Sequence, residues 1–177
     1  MANSYMVAES TLLTGAKIFS LQANKDIQNG AIVGKGDLVT GERSVYTALD
    51  DVTGGKYLVL HPAINYDDSR VINQNEELFV NKAGIPFRAY RLEKDMKYKI
   101  YNVATTFSVG DYVKYNAATG EYEVDGTNAS GLKVVAVEEV GFPYCIGSIG
   151  VKIVGDSGNE YGYASGAKAT KYTIEVE

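Results

Sequence analysis

Residues 116–125 decide the fold class, and they read Asn-Ala-Ala-Thr-Gly-Glu-Tyr-Glu-Val-Asp. In the second half of this stretch Tyr122 and Val124 alternate with acidic residues. A period of two is typical of a strand with one apolar and one polar face. The first half is small and polar and ends at Gly120, which suits a hairpin loop with the glycine in the left-handed conformation. The stretch therefore predicts a β-hairpin.

Strand patterns recur along the rest of the chain. Residues 57–61 are apolar on both faces and precede Pro62, which cannot donate a hydrogen bond to a sheet, so we predict a central strand that ends there. Glycine-rich turns separate the patterns. We predict an all-β fold, a sandwich or small barrel with Gly-rich hairpins. The further strand candidates are residues 31–33, 38–39, 45–47, 96–100, 132–137, 149–153 and 172–177.

Helix is expected to be scarce and the chain to hold one main domain. At most one or two short helices are predicted, at residues 73–80 and 47–52. Residues 1–28 show no clear period, and we interpret them as an N-terminal arm. The arm either lies along the domain or reaches a neighbouring subunit. Residues 29–177 are predicted to form a single β-rich domain.

Reactive side chains are nearly absent from the composition. Tyrosine supplies 14 of the 19 aromatic residues, and there is one histidine, His61, and one cysteine, Cys145. His61 stands at the end of an apolar strand, and no Gly-x-Ser-x-Gly elbow accompanies it, so we expect a structural histidine. Cys145 lies among apolar residues, where we expect a small buried side chain. We therefore predict no catalytic residues and no enzyme activity.

Metal and cofactor sites are not expected either. One histidine and one cysteine are too few for a zinc site. The carboxylate pairs Asp50-Asp51 and Asp67-Asp68 could contribute oxygen ligands to calcium, but neither continues as an EF-hand. A pair of glycosidase carboxylates cannot be seen in sequence, and that alternative stays open.

Charge is distributed unevenly. The net charge is −5, residues 80–100 carry a local +4, and residues 101–177 carry a local −5. The two bands suit packing between subunits, and the alternative is a solvated strand face. Basic and aromatic residues are interleaved around residues 87–101, as in proteins that bind single-stranded nucleic acid. The negative net charge argues against nucleic-acid binding. With no apparent signal peptide or membrane span, we expect a soluble protein made in the cytoplasm.

From about Asn29 to Val124 the chain resembles the decoration, or cement, proteins of tailed-bacteriophage capsids. In these chains a strand that ends in proline is followed by an Ala-Gly turn, an Arg-aromatic strand and a Gly-Asp strand. One departure is Lys94-Asp95, which stands where a Gly-Asp turn is more usual. The segments that carry the resemblance are Asn29–Val33, Tyr57–Pro62, Lys82–Leu92 and Phe107–Val113.

The resemblance implies a non-enzymatic virion protein on the exterior of a capsid. Its partner would be the major capsid protein, and it would stabilise contacts between capsomers, often as a homotrimer. Within that interpretation we expect the arm, residues 1–28, and the basic strand pair, Phe87–Lys99, to contribute contacts. The alternatives are a β-rich tail, baseplate or receptor-binding module of the virion, and a glycan-binding or glycan-cleaving domain.

Overall fold

The computed structural model describes residues 6–62, 79–101, 103–141, 151–154, 160–163 and 168–177. These residues form fifteen strands and no helix, which confirms the all-β prediction. The strands are β1 (Val7–Glu9), β2 (Ile18–Gln22), β3 (Ile27–Gln28), β4 (Ile32–Leu38), β5 (Val45–Leu49), β6 (Tyr57–Val59), β7 (Val80–Asn81), β8 (Phe87–Arg91), β9 (Lys97–Tyr101), β10 (Val113–Asn116), β11 (Glu121–Val124), β12 (Leu132–Gly141), β13 (Val151–Val154), β14 (Glu160–Tyr163) and β15 (Lys168–Val176).

Five strands close into a small barrel in the order β2-β5-β4-β6-β8, with β8 pairing back to β2. The β2–β5 pair is parallel, and the other four barrel pairs are antiparallel. Closure leaves no strand of the barrel at a free edge. The enclosed core contains Leu21, Val33, Val59, Phe87 and Ala89, each at most 2% exposed.

A four-stranded antiparallel sheet, in the order β1-β9-β15-β12, packs against the barrel. Its inner face carries Tyr98, Ile100 and Ile174, which are fully buried in a second apolar cluster. Ile32 and Leu58 of the barrel belong to the same cluster. Successive side chains of a strand point to opposite faces. Leu58 therefore faces the sheet, while its neighbours Tyr57 and Val59 face the barrel interior, as predicted for a central strand.

The hairpin predicted around residues 116–125 is present. Strands β10 and β11 pair with Val113 opposite Val124, and Gly120 ends their loop with a φ of 75°. Tyr122 is fully buried in the second cluster, whereas Val124 is about half exposed. Two further two-stranded sheets, β3-β7 and β13-β14, complete the described topology.

The described part of the predicted arm lies within the fold. Of the two arrangements considered for residues 1–28, the structure shows residues 6–28 along the domain, where they supply β1, β2 and β3. Met6 and Leu21 are buried, one in each apolar cluster. Strand β2 is one of the five strands of the barrel.

The two predicted helical turns have different outcomes. The prediction of a helical turn at residues 47–52 is wrong, because β5 continues to Leu49, which pairs with Gly34 of β4. At Gly34 of β4 the carbonyl of Asp51 approaches so closely that a Cβ would clash with it, so the segment after β5 can pack this closely against β4 only because residue 34 is glycine. The other turn, at residues 73–80, lies outside the described residues except for Phe79 and Val80, and Val80 begins β7.

Candidate functional site

His61 serves to hold the barrel wall in place. Its backbone N–H donates to Asn29 Oδ1 at 3.0 Å, and its carbonyl accepts from Asn29 Nδ2 at 2.8 Å. The ring Nδ1 accepts the backbone N–H of Arg88 at 3.3 Å, and the ring stacks on Phe79. Partial burial and, secondarily, the Arg88 charge lower the pKa of His61, so the ring is neutral at neutral pH. His61 thus connects the segment after β6 to Asn29 and to β8.

The candidate metal-binding carboxylates have separate partners. Asp50 pairs with the Lys25 ammonium at 2.8 Å. Asp51 accepts hydrogen bonds from the hydroxyl and the backbone N–H of Thr53, which lower its pKa. Among the residues that the structure describes, no three His, Cys, Asp or Glu side chains converge on a point that could hold a metal ion. Asp67-Asp68 and Cys145 lie outside the described residues.

The two segments expected to make contacts are neighbours in the barrel. Strand β2, from the predicted arm, pairs with β8, from the basic strand pair, with Ile18 opposite Tyr90 and Ser20 opposite Arg88. Ile18 is 55% exposed, and Arg88 is also exposed. Sequence patterns did not reveal this pairing, because the two strands lie far apart in the chain.

The basic and acidic bands meet within one chain. Strand β9 lies beside β15, and ion pairs cross the outer face of the four-stranded sheet. Of the six basic residues in the 80–100 band, four lie within 4 Å of a carboxylate that belongs to the described residues. The pairs are Lys82–Asp26 at 2.8 Å, Arg91–Glu93 at 3.8 Å, Lys97–Glu175 at 3.4 Å and Lys99–Glu138 at 3.1 Å. Much of the band is therefore balanced inside the fold.

The outer face of the sheet carries more pairs of this kind. Lys171 of β15 pairs with Glu9 of β1, and Lys133 of β12 pairs with Glu177 at 2.9 Å. Glu177 also accepts the Tyr112 hydroxyl at 2.5 Å, and these two hydrogen bonds lower its pKa. We call this set of cross-strand pairs the charge ladder. It gives the sheet a polar face in which positive and negative groups alternate.

A buried chain of tyrosine hydroxyls joins the three parts of the fold. Tyr122 Oη of the hairpin donates to the carbonyl of Gly30, just before β4, at 2.9 Å. Tyr98 Oη of the sheet lies 3.1 Å from Tyr122 Oη. Since Tyr122 has one proton and gives it to Gly30, Tyr98 is the donor in the second bond. Burial is the main cause that raises the pKa of both tyrosines, so both stay protonated far above neutral pH.

Two concave regions accompany these contacts. The first, the barrel-mouth cavity, has a volume of about 330 Å³ and lies between the barrel and the β10–β11 loop. Lys25 bonds to Asp50 and to the Ala117 carbonyl there, and Gln28 Nε2 donates to the Gly120 carbonyl at 2.7 Å. Its polar groups thus fasten the hairpin loop to the barrel.

The second region, which we call the β1 cleft, also has a volume of about 330 Å³. It lies where β1 passes the ends of β6 and β8. Its rim includes Ser10 and Thr11, which are exposed, together with Asn29 and His61. The apolar part of its wall is formed by Val7, Ala8, Leu60, Pro62 and Tyr90.

An exposed turn between β7 and β8 is tightly held, which the sequence patterns did not indicate. We call residues 82–86 the Ile85 turn. Asp26 accepts the Ala83 N–H at 2.9 Å and the Lys82 ammonium at 2.8 Å, and its pKa is lowered by Lys82 first and Ala83 second. Gly84 donates to the Ala23 carbonyl at 2.9 Å. The sequence analysis included an Ala-Gly turn in this segment, but it did not indicate the bonds to Asp26 and Ala23, which lie far away in the chain.

Comparison with known proteins yields no relatives: no family model, curated protein or solved structure matches the chain. In the part of the chain that the structure describes, no helix is long and apolar enough to cross a membrane. The functional argument therefore depends on the residues and the fold themselves.

Proposed function

We propose that this chain is a structural virion protein that binds the outside of a tailed-phage capsid shell and stabilises contacts between capsomers. It would act by adhesion and would not catalyse a reaction. Its partner would be the major capsid protein, with the chain working as a homo-oligomer. The proposal starts from the resemblance of four sequence segments to capsid decoration proteins.

One observation carries the proposal: three of those four segments are adjacent in the fold. Asn29–Val33 leads into β4, Tyr57–Pro62 contains β6, and Lys82–Leu92 contains β8. Strands β4, β6 and β8 are consecutive, hydrogen-bonded members of the barrel. Segments matched only by pattern and order thus form one structural unit, as expected if the resemblance reflects a shared fold.

The surface chemistry also suits a clamp between large neighbours. Exposed ion pairs contribute only about 0–1 kcal/mol each, so the charge ladder adds little stability of its own. Such charges steer association and favour particular partners more than they raise affinity. If several chains of one oligomer engage the shell together, the later contacts become intramolecular and the total binding strengthens without new chemistry.

The test uses particles with and without the protein. We expect particles that lack it to release DNA at a lower temperature, and added purified protein to restore the release temperature. Bound copies counted by mass spectrometry should number in the hundreds. A handful of copies per particle would instead indicate a tail or baseplate module. Unchanged particle stability together with no binding to purified shells would overturn the proposal.

A separate measurement addresses the glycan alternative. Glycan-array binding by the purified chain that is lost on replacing one exposed tyrosine would support that alternative and count against adhesion to the shell. We expect no such binding.

A further inference from the structure

The His61 ring takes the place of a backbone carbonyl where β6 separates from β8. Strand β6 ends at Val59, and the Leu60 N–H then donates to the Arg88 carbonyl at 3.1 Å. In an antiparallel pair that exchanges both bonds, the Arg88 N–H would return to the Leu60 carbonyl. It donates instead to His61 Nδ1 at 3.3 Å. One imidazole nitrogen therefore supplies the acceptor that continues this ladder by one bond.

This contact requires a neutral ring. A neutral imidazole has one nitrogen that accepts and one that donates, whereas a protonated imidazole has two donors and no acceptor. Because Nδ1 accepts the Arg88 N–H, the proton of the neutral ring lies on Nε2. Protonation of Nδ1 would set two N–H groups against each other and end the bond. Histidine is the side chain whose ordinary pKa allows this change between pH 5 and 8.

The surroundings of the ring delay its protonation until the solution is acidic. In the part of the chain that the structure describes, the charged side chains that border the ring are Arg88 of β8 and Glu9 of β1, and Glu9 is paired with Lys171. Partial burial and, after it, the charge of Arg88 lower the pKa of His61. The unfolded chain therefore takes up this proton first as the pH falls. The stabilisation from the neutral ring is complete above about pH 6.5 and is lost as the pH falls toward the folded pKa.

The backbone at His61 is fixed by groups that do not titrate. Asn29 bonds to both the N–H and the carbonyl of His61. Asn81, which is 5% exposed, donates from Nδ2 to Asn29 Oδ1 at 3.1 Å and to the Ile27 carbonyl at 3.0 Å. Carboxamides keep their hydrogen bonds in acid, and the stacking of the ring on Phe79 needs no acceptor nitrogen. Acid therefore acts on the bond to Arg88 and leaves the backbone contacts in place.

We propose that His61 is an acid-sensitive latch, which holds the start of β8 at neutral pH and releases it when the ring is protonated. The opening is local, because the pairing of β8 with β2 and with Val59 consists of backbone bonds. The Arg88 side chain is exposed and lies opposite Ser20 of β2, so the shared outer surface of β2 and β8 would change with pH. This inference follows from the contacts of His61 and does not depend on the proposed function.

Nuclear magnetic resonance tests the latch directly, because His61 is the only histidine of the chain. At pH 7.5 the imidazole nitrogen shifts should identify the tautomer with its proton on Nε2. Between pH 7.5 and 4.5 the ring should gain a proton with a midpoint below about 6.5. The hydrogen-exchange protection factor of the Arg88 amide should fall roughly three- to tenfold with the same midpoint, as expected for one lost hydrogen bond. The Tyr98 amide, in the strand that pairs with β15, is the internal control and should keep its protection.

Two substitutions at the same position separate a latch from a simple loss of structure. His61→Asn places a carboxamide oxygen close to the position of Nδ1 and does not titrate, so the protection of the Arg88 amide should stay high at every pH. His61→Phe keeps a ring to stack on Phe79 but has no acceptor, so the protection should be low at every pH. A neutral ring protonated on Nδ1, a wild-type Arg88 protection factor that does not change with pH, or the same acid-induced fall in the His61→Asn variant would each contradict the latch.

Discussion

The barrel and the four-stranded sheet hold their cores in different ways. Inside the barrel, closure removes strand edges, and the enclosed side chains, such as Leu21, Val59 and Phe87, contribute by apolar packing. The sheet buries Tyr98, whose hydroxyl bonds to Tyr122 and through it to the barrel, and its outer face carries the charge ladder. Packing is non-directional, whereas hydrogen bonds fix orientation. The barrel core is therefore stabilised by apolar packing, whereas the tyrosine hydrogen bonds set the orientation of the sheet relative to the barrel.

The largest expected loss of stability comes from shortening a buried apolar side chain in the core of the barrel or in the core under the sheet. Phe87→Ala in the barrel should lower the free energy of unfolding by about 3–5 kcal/mol, and Ile174→Ala in the sheet by about 2–5 kcal/mol, because both side chains are buried and leave cavities. Urea titrations followed by circular dichroism and by tyrosine fluorescence would measure this.

Both probes should report one shared transition in each variant. The reason is that Leu58 and Ile32 join the barrel wall to the sheet cluster. Separate transitions for the two probes would show that barrel and sheet unfold as independent units.

The tyrosine chain should show an asymmetry between its two members. Tyr122→Phe leaves the Gly30 carbonyl and the Tyr98 hydroxyl buried without their partner, and an unsatisfied buried group costs about 1–3 kcal/mol. Tyr98→Phe removes only the outer bond, since Tyr122 still donates to Gly30. We expect the Tyr122 variant to lose more stability than the Tyr98 variant in chemical denaturation. Equal losses would mean that the two hydroxyls do not form a directed chain.

Alkaline pH should weaken the protein through the same residues. The folded pKa values of Tyr98 and Tyr122 lie above the ordinary value near 10, so the unfolded chain releases these protons first as the pH rises. Their contribution is fully present below pH 10 and then falls by about 1.4 kcal/mol per pH unit for each tyrosine. Burial, together with Glu121 and Asp50, raises the pKa of Tyr115 to about 12. The stabilisation from Tyr115 is therefore fully present below pH 10 and is lost between pH 10 and 12.

Denaturant titrations from pH 9 to 12 would measure this loss. Tyr115→Phe, which keeps the ring and removes the ionisable hydroxyl, should make the decline less steep. A stability that stays constant up to pH 12 would contradict the burial of these hydroxyls.

The smallest effect is expected on the outer face of the sheet. Lys99→Met breaks the ion pair with Glu138, whose side chains are 22% and 46% exposed, and it should cost about 0.2–1 kcal/mol. High salt should reduce the difference from the wild type, because exposed charges are screened. Lys17→Met, at the more exposed pair with Glu93, is the matched control and should cost less. If Lys99→Met lowered the free energy of unfolding more than the tyrosine variants do, the charge ladder would be a main source of stability.

Local features of the fold were predictable from sequence, and long-range ones were not. The hairpin at residues 116–125 and the central strand that begins at Tyr57 follow from alternation and turn chemistry. The strand ends at Val59, earlier than the end predicted from Pro62. Barrel closure through β2 and β8 could not be predicted, because pairing between distant strands leaves no local period. The helical turn expected at residues 47–52 was overridden by pairing with β4.

The candidate surfaces were predictable only in part. The two charge bands were visible in the sequence, but their pairing within one chain depends on β9 lying beside β15. The residues expected to make contacts, on β2 and β8, stay a prediction, although they prove to be adjacent. The hydrogen bonds that hold the Ile85 turn could not be predicted, because Asp26 and Gln22 lie far from this turn in the sequence.

The order of the strands along the chain has a consequence for synthesis on the ribosome. Every strand of the barrel has been made once residue 91 emerges, but the sheet cannot form until β15, the last strand, is available between β9 and β12. During that interval the side chains of Ile32 and Leu58 that face the sheet are not covered by it, and β9 is paired with β1 but lacks β15 on its other side. A nascent chain in this state exposes apolar surface and open strand edges, which are features that favour aggregation and chaperone binding.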